Sequence, residues 1–420
     1  MPGEVARGRM SGVAHRAVLA ASAVFIGCLT AGLRAQSAPT APLTLEAALA
    51  RAAEAGPAAL AARLQHAIAV ASVGIARERP NPEGHFEFSK DTPHENYSVL
   101  VPIETAGKRA RRIEVSQAAV QVSDADLART LLEIRSTVRR AYFTRLIALD
   151  RLGVQRELQT VAARARDAAQ ARFDDGSAPR LEVLEAELAL AQVGNELRAA
   201  QAAADAARIE LDALLGLPLD ATPQLTTAAD AAPVPAAADA SARALAANPE
   251  IASLDRQIAE ADARVRLAKA NQVPDIAPEV GLSHGAEPEF TYGWRAAVGI
   301  TLPILTQHKA AVAVENATLS ALKGARTATA SRVAGDVLAA AVTAEARRAQ
   351  LVEYRDDIVP RALAVERMAE DSYRLGQTPL IALLTALQAT RDVRLRSLDA
   401  AAEFQNAVGD LERAIGAPLP

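Results

Sequence analysis

Four of the six histidines, His85, His94, His284 and His308, fall in or beside two short extended stretches, and imidazoles in a row are raw material for relaying a metal ion. Their spacing favours a plainer reading. No two stand four apart, as paired ligands on one helix face would, and none joins a tight cluster with aspartate. They read as polar residues of a lumen, a loop and a boundary, so no metal site is assigned. The basic run Lys108, Arg109, Arg111 and Arg112 could meet nucleic acid, but no aromatic interleaves it. A junction facing lipid headgroups or neighbouring acids suits it better. Nucleophilic chemistry finds no footing either. There is no Gly-x-Ser-x-Gly elbow, phosphate loop or His-Glu-x-x-His, and the only cysteine is Cys28. No enzyme and no cofactor is expected.

What must position these residues is a repeated helical plan. Phe173, Asp174, Asp175 and Gly176, followed by Pro179, recur 200 residues later as Tyr373, Arg374, Leu375 and Gly376, followed by Pro379. Leu181, Leu184 and Ala186 return as Ile381, Leu384 and Ala386. A chain of two similar halves uses one architectural unit twice. In each half glycine takes the left-handed conformation that ends one helix, and proline presets the next. Each turn is therefore the tip of a long helical hairpin. From about Thr105 to Arg172 no proline occurs and the apolar period is helical, which at ~1.5 Å per residue gives an arm of roughly 100 Å. A second runs from about His308 to Arg374, with Pro360 expected to bend it. Leu43–Arg79 and Ser241–Asn271 read as shorter helices. The stretch 220–240, rich in Ala, Pro and Asp, links repeat one (43–219) to repeat two (241–420).

Between the helices the period changes to two. Phe86 and Phe88 alternate with His85 and Glu87; Tyr97, Val99, Val101 and Ile103 share one side of the next stretch. In the second half Trp294, Ala296, Val298, Ile300, Leu302 and Ile304 lie on one face, and Arg295, Ala297, Gly299 and Thr301 on the other. Four strands with one apolar and one polar or small face suit a membrane barrel, lipid outside and water inside. The expected lipid-facing residues are Phe86, Phe88, Tyr97, Val99, Val101, Trp294, Val298, Ile300 and Leu302, with Trp294 an anchor at the interface. Four strands cannot close a useful channel, so several copies must contribute; three would supply twelve.

Composition agrees with long helices packed through small side chains: half of the residues are hydrophobic, yet only 3% are aromatic. The net charge of −4 gives no polyanion-binding character. Arg7, Arg9 and Arg16 followed by the apolar run Ala17–Leu33 read as an export signal over 1–35. Cleavage after Ala35 is one reading. The other cuts before Cys28 and acylates it, although Phe25 is a poor residue three places upstream.

The order helix, hairpin, long helix, glycine turn and return helix, done twice, resembles the TolC-like outer-membrane efflux protein family over nearly all of the chain after the signal. The resemblance rests on Tyr373–Gly376 with Leu380–Ala386, Phe173–Gly176 with Leu181–Ala186, and Pro303 at a strand exit. The segment Gly107–Arg112 is similar to the one at this junction in the cobalt-zinc-cadmium branch. The family implies a mainly α fold with a small β membrane part: a homotrimer with a 12-stranded β-barrel continued by a periplasmic α-helical barrel in a Gram-negative outer membrane. Its partners would be a periplasmic adaptor, an RND-type inner-membrane transporter and outer-membrane lipid, with no nucleic acid. The implied role is the passive exit duct of a tripartite pump, for heavy-metal cations. Drug or organic-solute efflux, or type I secretion, would keep the fold; a soluble periplasmic coiled-coil scaffold is the reading of another class. Family members often carry an acidic ring just past the second glycine, at positions that are Ala382 and Thr385 here. Any such ring must come from other residues. The tip set for docking or gating is therefore Phe173, Asp174, Asp175, Gly176, Glu182, Glu185, Asp371, Tyr373, Arg374 and Gly376.

Overall fold

The computed structural model describes residues 42–229 and 232–419; the expected signal at 1–35 and Cys28 lie outside them. In chain order the elements are α1 (Leu45–Ala55), α2 (Pro57–Arg77), β1 (Glu83–Phe88), β2 (Glu95–Leu100), α3 (Lys108–Asp174) and α4 (Arg180–Leu214). The second half gives α5 (Ala237–Ala247), α6 (Pro249–Ala270), β3 (Ile276–Ala286), β4 (Phe290–Ile300) and α7 (Lys309–Glu353). A π-helical turn (Tyr354–Ile358), α8 (Val359–Arg374) and α9 (Leu380–Ile415) complete it.

Prolines divide the short helices. Pro57 has no amide to give and holds Gly56 in extended backbone, φ −63° and ψ 138°. The single helix read over Leu43–Arg79 is therefore two. Asn248–Pro249 splits α5 from α6 in the same way, and α5 starts at Ala237, inside the stretch read as linker.

α3 runs unbroken for 67 residues. Its counterpart is interrupted, but one turn before the proline that was expected to bend it. Pro360 cannot donate to the carbonyl four residues back, and the chain widens into a π turn in which the Val359 amide reaches the Tyr354 carbonyl. Both tips close as read. Gly176 and Gly376 each have φ +72°, and their amides donate to the Phe173 and Tyr373 carbonyls at 2.9 Å. Pro179 and Pro379 sit one residue earlier than expected, as N-caps in extended backbone rather than inside the first turn.

Each return helix ends head-on against a short helix. Gly216, after α4, lies against Ala55 and Pro57; Gly416, after α9, lies against Asn248 and Pro249. Asn248 Nδ2 donates to the Ala414 carbonyl at 2.9 Å. The helices therefore form a wall in which full-length struts (α3, and α7 continued by α8) alternate with stacked struts (α4 over α2, α9 over α6). α1 packs its Leu45, Ala48, Leu49 and Ala52 on Val138, Tyr142 and Leu211 beside one joint. α5 does the same with Ala240 and Ala244 on Val337, Ala341 and Leu411 beside the other.

The linker is tied down rather than loose. Leu43 bridges Leu225, Tyr142 Oη donates to the Leu43 carbonyl and accepts from the Thr226 and Thr227 amides, and Arg145 reaches the Pro223 carbonyl. Arg145 also pairs with the fully buried Asp212, as Arg139 does with the buried Glu412 200 residues on.

Candidate functional site: the sheet faces and the helix tips

The four strands form one antiparallel sheet in the order β1–β2–β3–β4. Register decides which side chains share a face. Phe86 lies opposite Tyr97, Tyr97 opposite Leu282 and Leu282 opposite Trp294. The neighbouring rows are Gly84, Val99, Val280 and Ala296, and then Phe88, Glu95, His284 and Tyr292. The expected lipid-facing residues within the strands thus fall on one surface, and no described residue covers it: Trp294 is 80% exposed and Phe86 71%. Two are corrected in detail. Val101 and Leu302 lie past the ends of β2 and β4, where Pro102 and Pro303 remove ladder donors. Tyr292 extends the face and was missed, because β4 begins at Phe290, against the turn, and not at Trp294; the Phe290 ring itself lies on the Gly293 side. The alternation of Tyr292 with Trp294 was the signal.

The opposite face is polar. Arg295 pairs with Glu279 at 3.0 Å, Ser283 Oγ donates to Asn96 Oδ1 at 2.7 Å, and His85 stands 3.8 Å from Glu83. Among the described residues no three His, Cys, Asp or Glu side chains gather as a metal would need. Both outer strands, β1 and β4, have one open edge in the single chain. Unpaired edges do not survive in hydrocarbon, so a chain that puts this sheet in lipid must close it with other chains.

Where strands meet helices, the basic run divides its partners. The Lys108 ammonium is buried against Asp275 at 2.8 Å, whose Oδ1 also accepts from the Thr105 amide. Arg112 takes Glu104, and Arg111 takes Glu114. Arg109 finds only a carbonyl, that of Arg77.

At the tips the two repeats differ. Phe173 is half-buried, whereas Tyr373 is 2% exposed, packed with Ala165, Ala169, Ala186, Leu380 and Leu383. The Arg172 guanidinium lies over its ring, 5.1 Å from the centre, and stands 3.9 Å from Glu182. Burial, and then the Glu182 charge, push the Tyr373 phenol above its ordinary pKa. Of the candidates for docking or gating, Tyr373 is buried and Glu182 half-buried, and the two take part in a clasp between the hairpins. Arg172, its third member, was missed; no local pattern marks it. Asp174, Asp175, Gly176, Asp371, Arg374 and Gly376 are exposed, and Glu185 is half-buried. Ala382 and Thr385 are exposed too, so an acid there would have reached solvent.

No nucleophile, base or cofactor cradle is assembled anywhere among these groups. A groove of about 1090 Å³ between α3, α6, α7 and α9 carries ion pairs along its walls, Arg332 with Glu250 and Arg347 with Glu403.

A family model described as outer membrane efflux protein matches residues 48–217. Over 383 residues, 89% of this chain and 90% of the relative, the sequence is 26% identical to the cobalt-zinc-cadmium resistance protein CzcC of Cupriavidus metallidurans. The fold superposes on the transmembrane channel CusC with a TM-score of 0.73 at 15% identity, covering 89% of this chain and 92% of that one. It superposes on the CmeC outer membrane channel of Campylobacter jejuni at 0.72 and 15%, covering 89% and 85%. In sequence and fold the chain is similar to outer membrane efflux proteins, with the family model lying within its first repeat.

Proposed function

We propose that this chain is an outer membrane efflux channel, the exit duct of a tripartite pump that clears divalent heavy-metal cations. One observation carries the duct: an uncovered apolar face on a sheet whose two edges are open. From Tyr292 to Leu302 there are ten steps of ~3.4 Å; tilted by ~40° they rise about 26 Å, against an apolar band of ~25 Å in membrane barrels. In this reading the face meets outer-membrane lipid, three copies close a twelve-stranded barrel, and the wall continues it into the periplasm. The exposed stripe Leu60, Leu64, Ile68 and Ile75 on α2, the wall's free edge, packs on α7 of the next copy. Leu45–Arg77 is apolar enough in composition to cross a membrane. Its break at Gly56–Pro57 and its place in the wall favour this seam instead.

Repeat one (43–219), the 220–240 linker and repeat two (241–420) are read as one channel unit behind the export signal. The exposed tip residues Asp174, Asp175, Asp371 and Arg374 meet the periplasmic adaptor, which links the duct to an RND-type inner-membrane transporter. The clasp of Arg172, Glu182 and Tyr373 holds the hairpins together at the gate. The metal assignment is supported by likeness to a cobalt-zinc-cadmium resistance protein along almost the whole chain. Deleting the gene in its host, with no redundant duct present, should lower zinc, cobalt or cadmium tolerance and leave drug tolerance unchanged. Loss of drug tolerance alone would overturn the metal reading.

A further inference from the structure

At each of the four places where a strand meets a helix, the chain carries a cation without a carboxylate partner. Arg77 and Arg79 precede β1, Arg109 follows β2, Lys269 precedes β3 and Lys309 follows β4; all are exposed except the half-buried Arg109. Among the described residues none of the five takes part in an ion pair, whereas Arg129 pairs with Glu133 and Arg413 with Asp410.

 Across the four junction segments, 75–83, 101–114, 266–276 and 300–310, there are nine Lys and Arg against five Asp and Glu, in a chain whose net charge is −4. Directly above this collar stands an apolar foot. Leu302 and Ile304 are largely exposed and Leu305 is 98% exposed, beside a cleft of about 570 Å³ shared with Lys108, Asp275 and His308. The first repeat exposes Val101 and Ile103 at the positions of Leu302 and Ile304 but has Glu104, paired with Arg112, at that of Leu305, so Leu305 is what repeat two adds.

We propose that this collar is a binding surface for anionic phospholipid headgroups in the periplasmic leaflet of the membrane. The inference rests on the reading of the sheet face as lipid-facing, and it adds which lipid and where. Leu302, Ile304 and Leu305 reach the acyl chains, while the cations one turn away sit at the depth of the phosphates. Charge complementarity selects the occupant. A neutral or zwitterionic headgroup offers no net charge to five cations, whereas phosphatidylglycerol offers one per lipid. Each cation near such a surface is worth about fivefold in binding, and the preference decays with ionic strength because the groups are exposed.

The test uses the full chain purified in a neutral detergent, with binding of phosphatidylglycerol and of phosphatidylcholine followed by native mass spectrometry. The expected result is at least a tenfold preference for phosphatidylglycerol that falls as salt rises. The triple variant Arg77→Gln, Arg79→Gln, Lys309→Gln should lose most of it. Equal binding of the two lipids, or a preference that salt does not alter, overturns the collar while sparing the lipid-facing sheet; the salt series on the unaltered chain decides this even if the variant fails to fold. A chain that binds neither lipid and stays in solution without detergent overturns both.

Discussion

Glu366 on α8 has a carboxyl oxygen shut away from water without a hydrogen-bond partner, in a cleft it shares with Glu157, Arg164 and Arg394. Burial pushes its pKa above the ordinary carboxylate value; Arg394 and the Thr390 hydroxyl pull it part of the way back, and Glu370 and Glu157 push it further up. A carboxyl raised on folding binds its proton more tightly in the folded chain. Between its ordinary value, ~4.3, and its raised one, stability therefore falls as pH rises. Glu366→Gln should flatten that slope in denaturation of the detergent-solubilised protein; an unchanged slope would assign the effect elsewhere. Glycines differ in the same residue-level way. An alanine methyl at Gly376 would meet nothing within 4 Å and should cost only the ~1–2 kcal/mol of a left-handed backbone. At Gly416, φ +85°, it would stand 2.4 Å from Pro249 Cδ and 2.8 Å from Asn248 Cα. Gly416→Ala should therefore lower the melting temperature clearly more than Gly376→Ala, because it wedges the joint between α9 and α6.

Among elements, the sheet and the interrupted arm make the sharpest predictions. Val298 and Ala297 are neighbours on β4 that face opposite ways. A lysine at Val298 should cost ~2–4 kcal/mol if the apolar face lies at mid-bilayer, and a lysine at Ala297 little, read by folding into lipid vesicles. The π turn has no buried residue, whereas the matching part of α3 buries Val154, Gln155 and Leu158. Its amides should exchange with solvent at least tenfold faster than those of 154–158, and similar protection would contradict a weak point there. The elements were legible in the sequence where the signal is local. Alternation from Trp294 to Ile300 gave β4 its faces, and Gly and Pro three apart gave both tips. What stayed hidden depends on contacts far apart in the chain. Tyr373 looks like Phe173 in sequence, but its burial is decided by Arg172 and Ala186 on the other hairpin. That Lys108 belongs to a junction facing lipid headgroups or neighbouring acids was legible; that its acid is Asp275, 167 positions on, was not. The π turn is seen from sequence only as Pro360, because the relief lies in the preceding turn, which no residue type marks.

For the whole molecule, the repeat explains both the straight wall and its asymmetry. Two copies of one plan give alternating full-length and stacked struts, and the differences between them fall at the tip clasp, the π turn and the apolar foot. One face of four strands separates a membrane duct from a soluble scaffold. The decisive measurement is site-directed spin labelling along β4, one cysteine at a time from Phe290 to Leu302 in a Cys28→Ser background, in phospholipid vesicles. Access to oxygen dissolved in the bilayer should peak at Tyr292, Trp294, Val298 and Ile300. Access to a water-soluble nickel reagent should peak at Arg295, Ala297 and Gly299, with a period of two and opposite phase. Labels on both faces that meet only the aqueous reagent, with no alternation, would contradict the duct.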